Sequence, residues 1–317
     1  MSYTPSPQTK LAVWTLVLII IVLISSQFLK GPFSQLKFPV LNLTSKFSFN
    51  FENSNLSKVI EKDLQGSEGK FAIYIEDIES GEKYELNAHD KMPSASLYKV
   101  FMMGAALKEV EDGNMKMDTV ISRSKSELTN ILGEVDYGYE DYGSPISFTL
   151  EEILTRIGRI SDNFAAIMLG EQMGWEKAQS LADSIGTTET IIKSPIQTSA
   201  ADVGLFFKKV AQRELVSRNV SEEFERFLSL NQINNRIPIE LPKDIKVIHK
   251  TGELPQVRHD AGIVYLKKQV VRDGSPSAVL KPYVIVLMSE DITYEDTTNE
   301  LLAKISKSVY EYFLNKK

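Results

Sequence analysis

The order of the predicted secondary structure, with strands first, then helices and then strands again, most constrains the fold of this chain. Alternating apolar residues predict strands at 71–75 and 83–86. A long helical middle follows, and strands return at 245–251, 257–266 and 283–288. This order predicts an α+β fold (an α/β sandwich). Both chain ends would form one antiparallel sheet of about five strands, flanked by helices, with an all-helical subdomain inserted between them.

The folded part is expected over residues 56–317, with the helical subdomain at about 110–215. The capping box that begins at Thr149 starts one of its helices. Residues 115–148 lack periodicity and are expected to be irregular, and a closing helix is predicted over 297–314. A cleft between the sheet and the helical subdomain is a usual place for a binding or catalytic site.

An uncharged apolar segment precedes the folded part. Residues 11–29 contain no charged side chain and approach the roughly 20 residues that span a bilayer. We therefore expect a cytoplasmic tail at 1–10, a single transmembrane anchor at 11–29 and a linker at 30–55, with the folded part outside the cytoplasm. A cleaved signal peptide, which would give a secreted protein, is the alternative. It is less favoured because no small-residue cleavage site follows the segment.

Composition excludes several function classes. The chain of 317 residues has no cysteine, so thiolate catalysis, disulfides and cysteine-ligated metals are excluded. Its three histidines do not occur at the short helical spacing of zinc enzymes. The net charge of -6 and the lack of a basic stretch argue against a nucleic-acid partner. We expect no metal and no cofactor, and a Ser-His-Asp triad that uses His89 or His259 is disfavoured.

A serine and a lysine lie one helical turn apart at the start of an apolar segment. If Ser96 begins a helix, Lys99 lies on the same helix face, where burial would lower its pKa and let it accept the serine proton. The Ser-x-x-Lys pattern alone is weak, because it also occurs at Ser67 and Ser80 in turns beside strands, and at Ser122 in a polar, irregular region. Taken alone, a helix cap followed by a surface lysine would explain it as well.

Two further motifs occur later in the chain. Ser161-Asp162-Asn163 separates two predicted helices, and Lys250-Thr251-Gly252 ends an apolar strand. Ser161 and Asn163 offer hydrogen-bonding groups, whereas Lys250 and Thr251 suit a substrate carboxylate. Each motif alone is more typical of a helix cap or a solvated strand end.

Together and in this order, the three motifs resemble those of class A β-lactamases within the penicillin-recognising serine hydrolases. The segments TLEEILTRIGRISDNFAA (149–166) and KTGELPQVRHDAGIVY (250–265) are similar to the helix and the paired strands that carry these motifs in the family.

The resemblance implies a role for each motif. Ser96 would attack the carbonyl carbon, Lys99 would be the base, and Ser161 would pass a proton to the leaving nitrogen. The substrate-binding residues would be Asn163, Lys250, Thr251, Gly252 and Glu253. Within that set, the backbone N–H groups of Glu253 and Ser96 would form the oxyanion hole.

One part of the family pattern is missing. Class A enzymes carry a glutamate on a loop between the second and third motifs that activates the deacylating water. Here the loop before Thr198-Ser199-Ala200-Ala201 is short, and its single glutamate, Glu189, falls too early to match.

The resemblance therefore predicts a membrane-anchored serine hydrolase that forms an acyl-enzyme on Ser96 and hydrolyses β-lactams, with deacylation the uncertain step. A D-alanyl-D-alanine carboxypeptidase or transpeptidase acting on peptidoglycan stem peptides is the first alternative. A non-catalytic cell-wall binding protein is the second.

Overall fold

A computed structural model of the protein describes residues 55–132, 145–272 and 275–316. Within these ranges the α-helices are α1 (Asn55–Leu64), α2 (Tyr98–Glu111), α3 (Lys125–Leu132), α4 (Leu150–Ile160), α5 (Asn163–Met173), α6 (Trp175–Ile185), α7 (Ala200–Ala211), α8 (Arg218–Leu228) and α9 (Glu295–Asn315). The strands are β1 (Lys70–Asp77), β2 (Lys83–Leu86), β3 (Met92–Pro93), β4 (Val120–Arg123), β5 (Ile146–Thr149), β6 (Gln197–Thr198), β7 (Lys246–Leu254), β8 (Val257–Arg272) and β9 (Ser275–Glu290).

The main sheet has five antiparallel strands in the order β2-β1-β9-β8-β7. It joins strands from both chain ends, since β1 pairs with β9 in the register Ile75 to Ile285. All helices from α2 to α8 lie between β2 and β7 in the chain. The prediction of an α+β fold with a sheet from both chain ends and inserted helices is therefore confirmed.

Both faces of the sheet are buried. Successive side chains of a strand point to opposite faces, so Tyr283, Ile285 and Leu287 pack with α1 and α9 on one side. Val284 and Val286 pack with the inserted helices on the other side. Burial on both faces explains why the chain is continuously apolar here and not alternating.

Helix α2 lies at the centre of the helical part. Its residues from Lys99 to Leu107 are all buried, so this helix has almost no solvent face. Phe101 contacts Phe206 of α7 with ring centroids 5.1 Å apart, and Phe206 in turn contacts Phe224 of α8. Aromatic packing thus fixes α2, which carries the first sequence motif, against its neighbours.

Some elements differ from the sequence-based predictions. The region predicted to be irregular contains β4, α3 and β5, with Ile121 paired to Phe148. Helix α8, capped by the Ser217 side chain, was not predicted. Helix α2 begins at Tyr98, because Ser96 lies in a 3-10 turn over Ala95–Leu97.

The predictions for 1–10, for the anchor at 11–29 and for most of the linker at 30–55 fall outside the described residues. At the end of that linker, Asn55 already begins α1. None of the helices in the described ranges combines the length and the apolar character that a membrane span requires.

Candidate active site

Ser96 lies in a tight turn between β3 and α2. The preceding Ala95 has a φ of 45°, in the left-handed region that residues other than glycine rarely adopt. The segment is held from two sides: the Ser94 N–H donates to Ile196 O at 3.1 Å, and His259 Nε2 lies 2.8 Å from Pro93 O. The turn places Ser96 at the wall of a cleft of about 430 Å³.

Lys99 is fully buried directly behind this wall. Its Nζ donates to Asn163 Oδ1 at 2.5 Å and to Ser161 O at 2.6 Å, and it lies 3.3 Å from Ser161 Oγ. Among the described residues, it forms no hydrogen bond to Ser96. Burial and, secondarily, the positive charge of Lys250 hold the pKa of Lys99 well below its usual range, against the opposing effect of Asp162.

The Ser161-Asp162-Asn163 loop is fixed by its central residue. Ser161 ends α4 in the left-handed conformation, with a φ of 58°. Asp162 caps α5 by accepting the Ala165 N–H at 3.0 Å, and its other oxygen accepts Arg156 Nε at 2.8 Å. The helix-cap interpretation of this motif is therefore correct for Asp162. The same cap holds the neighbouring residues, Ser161 and Asn163, within hydrogen-bonding distance of Lys99.

Lys250 reaches the same hydroxyl from the sheet. Its Nζ donates to Ser161 Oγ at 2.7 Å and to Thr251 O at 2.7 Å, and the side chain is buried. Burial is the main cause that lowers the pKa of Lys250 to about 7, while the nearby carboxylates of Asp260 and Glu253 act in the opposite direction. Two buried amines therefore share one serine hydroxyl.

Gly252 allows β7 to approach the turn that carries Ser96. A Cβ atom at Gly252 would lie 3.2 Å from Ala95 Cβ and 3.3 Å from His259 Cβ, which is closer than ordinary packing. In the part of the chain that the structure describes, β7 is an edge strand of the main sheet, so one side of its backbone pairs with no other strand. Glu253, whose N–H is the predicted oxyanion-hole donor, follows Gly252 on this strand and lines the same cleft as Ser96.

The cleft joins all three sequence motifs. It is lined by five of the predicted site residues: Ser96, Ser161, Asn163, Thr251 and Glu253. Lys99 and Lys250 are buried beneath it, at hydrogen-bonding distance from Ser161. Residues that lie far apart in the sequence are thus assembled around one small cavity.

Sequence reasoning missed three charged residues on one side of the cleft. Arg258 and Glu295 line it and are paired with each other, and Arg236 is buried behind Glu253. Arg236 lies between α8 and β7, where no periodic pattern distinguishes it. Its partners reach it only through tertiary structure, so no local signal could have identified it.

The histidines have structural positions. The Ser289 N–H donates to His259 Nδ1 at 3.1 Å, so the ring proton is on Nε2 and donates to Pro93 O. Burial lowers the pKa of His259 to about 4. His249 contacts Asp260 and Asn234 and points away from Ser161, as alternation along β7 predicts. Among the described residues, neither histidine forms a hydrogen bond with Ser96.

The loop between α6 and α7 is closed by internal hydrogen bonds. Asp202 accepts the N–H groups of Thr188 and Glu189, and the Glu189 carboxylate accepts the hydroxyls of Thr188 and Ser199. Neither carboxylate lines the cleft. The Glu189 side chain therefore stabilises the loop, in agreement with its early position in the sequence.

The α+β sandwich has a serine in a turn, Ser96, and a second serine, Ser161, whose hydroxyl contacts two buried lysines. This combination defines a penicillin-recognising serine hydrolase. The chain belongs to the Beta-lactamase enzyme family, whose model matches residues 55–313. It is accordingly a serine hydrolase of the β-lactamase type.

Individual relatives are distant. The chain is 22% identical over 297 residues to the extended-spectrum β-lactamase PER-1 of Pseudomonas aeruginosa, covering 86% of this chain and 92% of the relative. It is 21% identical to β-lactamase VEB-1 of the same organism, covering 84% and 93%.

The fold is shared with solved structures at similarly low identity. A β-lactamase from Chitinophaga pinensis superposes with a TM-score of 0.71 at 20% identity, covering 82% of this chain and 100% of that one. PBP-A superposes with a TM-score of 0.68 at 21% identity, covering 82% and 96%.

Proposed function

We propose that this chain recognises penicillins and that β-lactams acylate Ser96 to form an acyl-enzyme. The observation that carries the proposal is the contact of Ser161 Oγ with both Lys99 and Lys250, at the cleft wall that Ser96 also lines. A hydroxyl between two amines with lowered pKa values can relay a proton. A related structure supports the proposed ligand, since a point mutant of PBP-A is described as an acyl-enzyme complex with penicillin G.

Lys99 is the proposed base. In a neutral amine, its two shortest hydrogen bonds, to Ser161 O and Asn163 Oδ1, use both protons, so the lone pair is the group that accepts a proton, with Ser161 Oγ 3.3 Å away. The Ser96 proton moves to this lone pair while Ser96 Oγ attacks the lactam carbonyl carbon. When the lactam C–N bond breaks, the nitrogen takes a proton from Ser161 Oγ, which is replenished by Lys99 or Lys250.

The remaining residues bind the substrate. Lys250 and Thr251 hold the carboxylate, and Asn163 binds the side-chain amide from the opposite wall of the cleft. The N–H groups of Ser96 and Glu253 stabilise the oxyanion, and Gly252 supports this arrangement by allowing β7 to approach Ala95 closely. Loss of one such donor costs roughly 2.7–4 kcal/mol of transition-state stabilisation.

A second candidate function is D-alanyl-D-alanine carboxypeptidase or transpeptidase activity on peptidoglycan stem peptides. The acidic residues that line the cleft within the described ranges are Glu253 and Glu295, and each is paired with an arginine. A site without an available carboxylate for water activation favours a long-lived acyl-enzyme, which suits transfer to an amine. A non-catalytic cell-wall binding protein is disfavoured, since a binder has no need of two buried amines beside Ser96.

We also propose that residues 11–29 tether the catalytic domain to the outer face of the cell membrane. Their uncharged apolar sequence supports insertion in a membrane, and export of the long C-terminal part is the simpler topology. Sequencing of the N-terminus of the protein isolated from cells tests it. An intact N-terminus in the membrane fraction is expected, whereas a new N-terminus after Ser26 would show secretion instead.

Intact-mass spectrometry of the full-length protein with benzylpenicillin tests the acylation. We expect a mass increase equal to one penicillin in the wild type and none in Ser96→Ala. Rapid loss of the adduct with release of penicilloate would support a β-lactamase, and a persistent adduct would support the peptidase. No adduct in a folded wild-type protein would exclude both activities.

A further inference from the structure

We infer that Glu253 selects substrates by charge: its side chain shields the buried Arg236 and disfavours an anionic group in the neighbouring carboxylate site. This inference rests on the proposed acylation of Ser96. It concerns the side chain of Glu253, whose backbone N–H is the proposed oxyanion donor.

Arg236 is a buried cation with an incomplete set of partners. Its side chain is fully buried, and its Nε donates to Asn299 Oδ1 at 2.6 Å. Nη2 donates to Glu253 Oε1, whereas Nη1 is buried and makes no hydrogen bond with any residue in the described ranges. Among those residues, Glu253 is therefore the carboxylate paired with this guanidinium.

Glu253 lies between Arg236 and the cleft. Its side chain is 47% exposed and lines the cleft, whereas Arg236 does not reach the cleft surface. Partial burial would raise the pKa of Glu253, but the hydrogen bond from Arg236 and the charges of Arg236 and Arg258 outweigh it, so the pKa of this carboxyl is lowered. The Glu253 carboxylate thus places a negative charge at the border of the cleft. The positive charge of Arg236 lies buried behind it.

This negative charge lies close to the proposed carboxylate site. Thr251 and Glu253 are two residues apart on β7, so their side chains point to the same face about 7 Å apart. At this separation, like charges in a partly solvated site repel enough to slow capture of an anion roughly threefold to thirtyfold. Lys250, at the start of the same motif, has to bind the substrate carboxylate against this repulsion.

The test compares benzylpenicillin with its uncharged methyl ester. Second-order rate constants of acylation would be measured on full-length wild type, Glu253→Gln and Glu253→Thr, and expressed as the ratio of acid to ester. The ratio cancels any effect of a substitution on the oxyanion hole or on the reactivity of Ser96. Glu151→Gln is the matched control, since Glu151 is also a carboxylate paired with an arginine, Arg226, but does not line the cleft.

We expect the acid-to-ester ratio to rise at least threefold in Glu253→Gln, and further in Glu253→Thr, which also uncovers Arg236. The gain should shrink at 1 M salt, and the ratio in Glu151→Gln should change less than twofold. An unchanged or smaller ratio in folded Glu253 variants that still react with both compounds would overturn the inference and leave the proposed function intact. Failure of the wild type to react with either compound would instead overturn the proposed function.

Discussion

His259 donates its Nε2 proton to the carbonyl oxygen of Pro93 at 2.8 Å, three residues before the proposed nucleophile. Because its other ring nitrogen accepts the N–H of Ser289, the imidazole is held as one neutral tautomer between the sheet and the Ser96 turn. A residue with no place in the proposed chemistry thus fixes the segment that positions the serine.

This arrangement makes stability depend on pH. The pKa of His259 is about 4 in the folded protein, against about 6.5 in an unfolded chain. Since the unfolded chain binds the proton more readily, this contribution to stability is complete above pH 6.5 and is lost as the pH falls towards 4. It amounts to about 3 kcal/mol.

Urea unfolding of the wild type and of His259→Gln between pH 4 and 7 measures this contribution. The difference in unfolding free energy between the two proteins should shrink as the pH falls. A difference that stays constant with pH would show that His259 does not titrate on unfolding.

Lys99 and Lys250 predict a bell-shaped pH dependence of acylation. The rate constant for benzylpenicillin should rise with pH while Lys99 loses its proton, and fall above about pH 7 as Lys250 loses its charge. In Lys250→Arg the fall should move to higher pH, because arginine stays protonated. Stopped-flow acylation measures both limbs, and a wild-type rate that is flat from pH 5 to 10 would contradict the assignment of both lysines.

In Lys99→Arg the rate constant of acylation should fall by at least about 100-fold, since a guanidinium cannot accept the Ser96 proton at neutral pH. Lys177→Arg is the control, because Lys177 is an exposed lysine paired with Glu109, away from the cleft. The time course of the penicillin adduct by mass spectrometry measures both variants. Labelling of Lys99→Arg at the wild-type rate would show that another group is the base.

Asp162→Asn should reduce the unfolding free energy by about 1–3 kcal/mol, because a buried charged hydrogen bond to Arg156 is lost. Asp244→Asn is matched to it, since Asp244 forms an exposed ion pair with Lys267 and its loss should leave the unfolding free energy nearly unchanged. Urea denaturation compares the two. Equal effects would mean that Asp162 does not stabilise the loop that carries Ser161.

Glu189→Gln should leave the lifetime of the penicillin adduct unchanged within about twofold, because its carboxylate binds the hydroxyls of Thr188 and Ser199 and does not line the cleft. The wild-type and variant adducts would be followed by mass spectrometry after removal of free penicillin. A tenfold longer lifetime in the variant would identify Glu189 as the base that activates water.

The sequence was sufficient to predict the sheet and the three motifs, because both depend on local patterns. Because serine is a common helix cap, the sequence predicts that α2 begins at Ser96. The structure uses a left-handed Ala95 there, which no residue preference predicts. The predicted strand 257–266 was too short: the ladder with β7 ends at Tyr265, and β8 continues paired only with β9, where Lys267 and Lys268 interrupt the apolar pattern.

The charged residues on one side of the cleft could not be predicted from the sequence. Arg236 comes from the connection between α8 and β7, Glu253 from β7 and Asn299 from α9, and only the complete fold brings them together. The same holds for the two contacts of Ser161 Oγ. The motifs indicated which residues matter, but the sharing of one hydroxyl between Lys99 and Lys250 depends on how the sheet packs against the helices.

The pairing of β1 with β9 has a consequence for how the protein is made. Lys70 lies opposite Glu290, 220 positions further along the chain, so the centre of the sheet closes only after nearly all of the polypeptide is available. Contacts of such large sequence separation slow folding. During synthesis, β1 and β2 can form only a two-stranded hairpin, which is marginally stable in water. The active site around Ser96 should therefore assemble late in folding, after nearly all of the chain has been made.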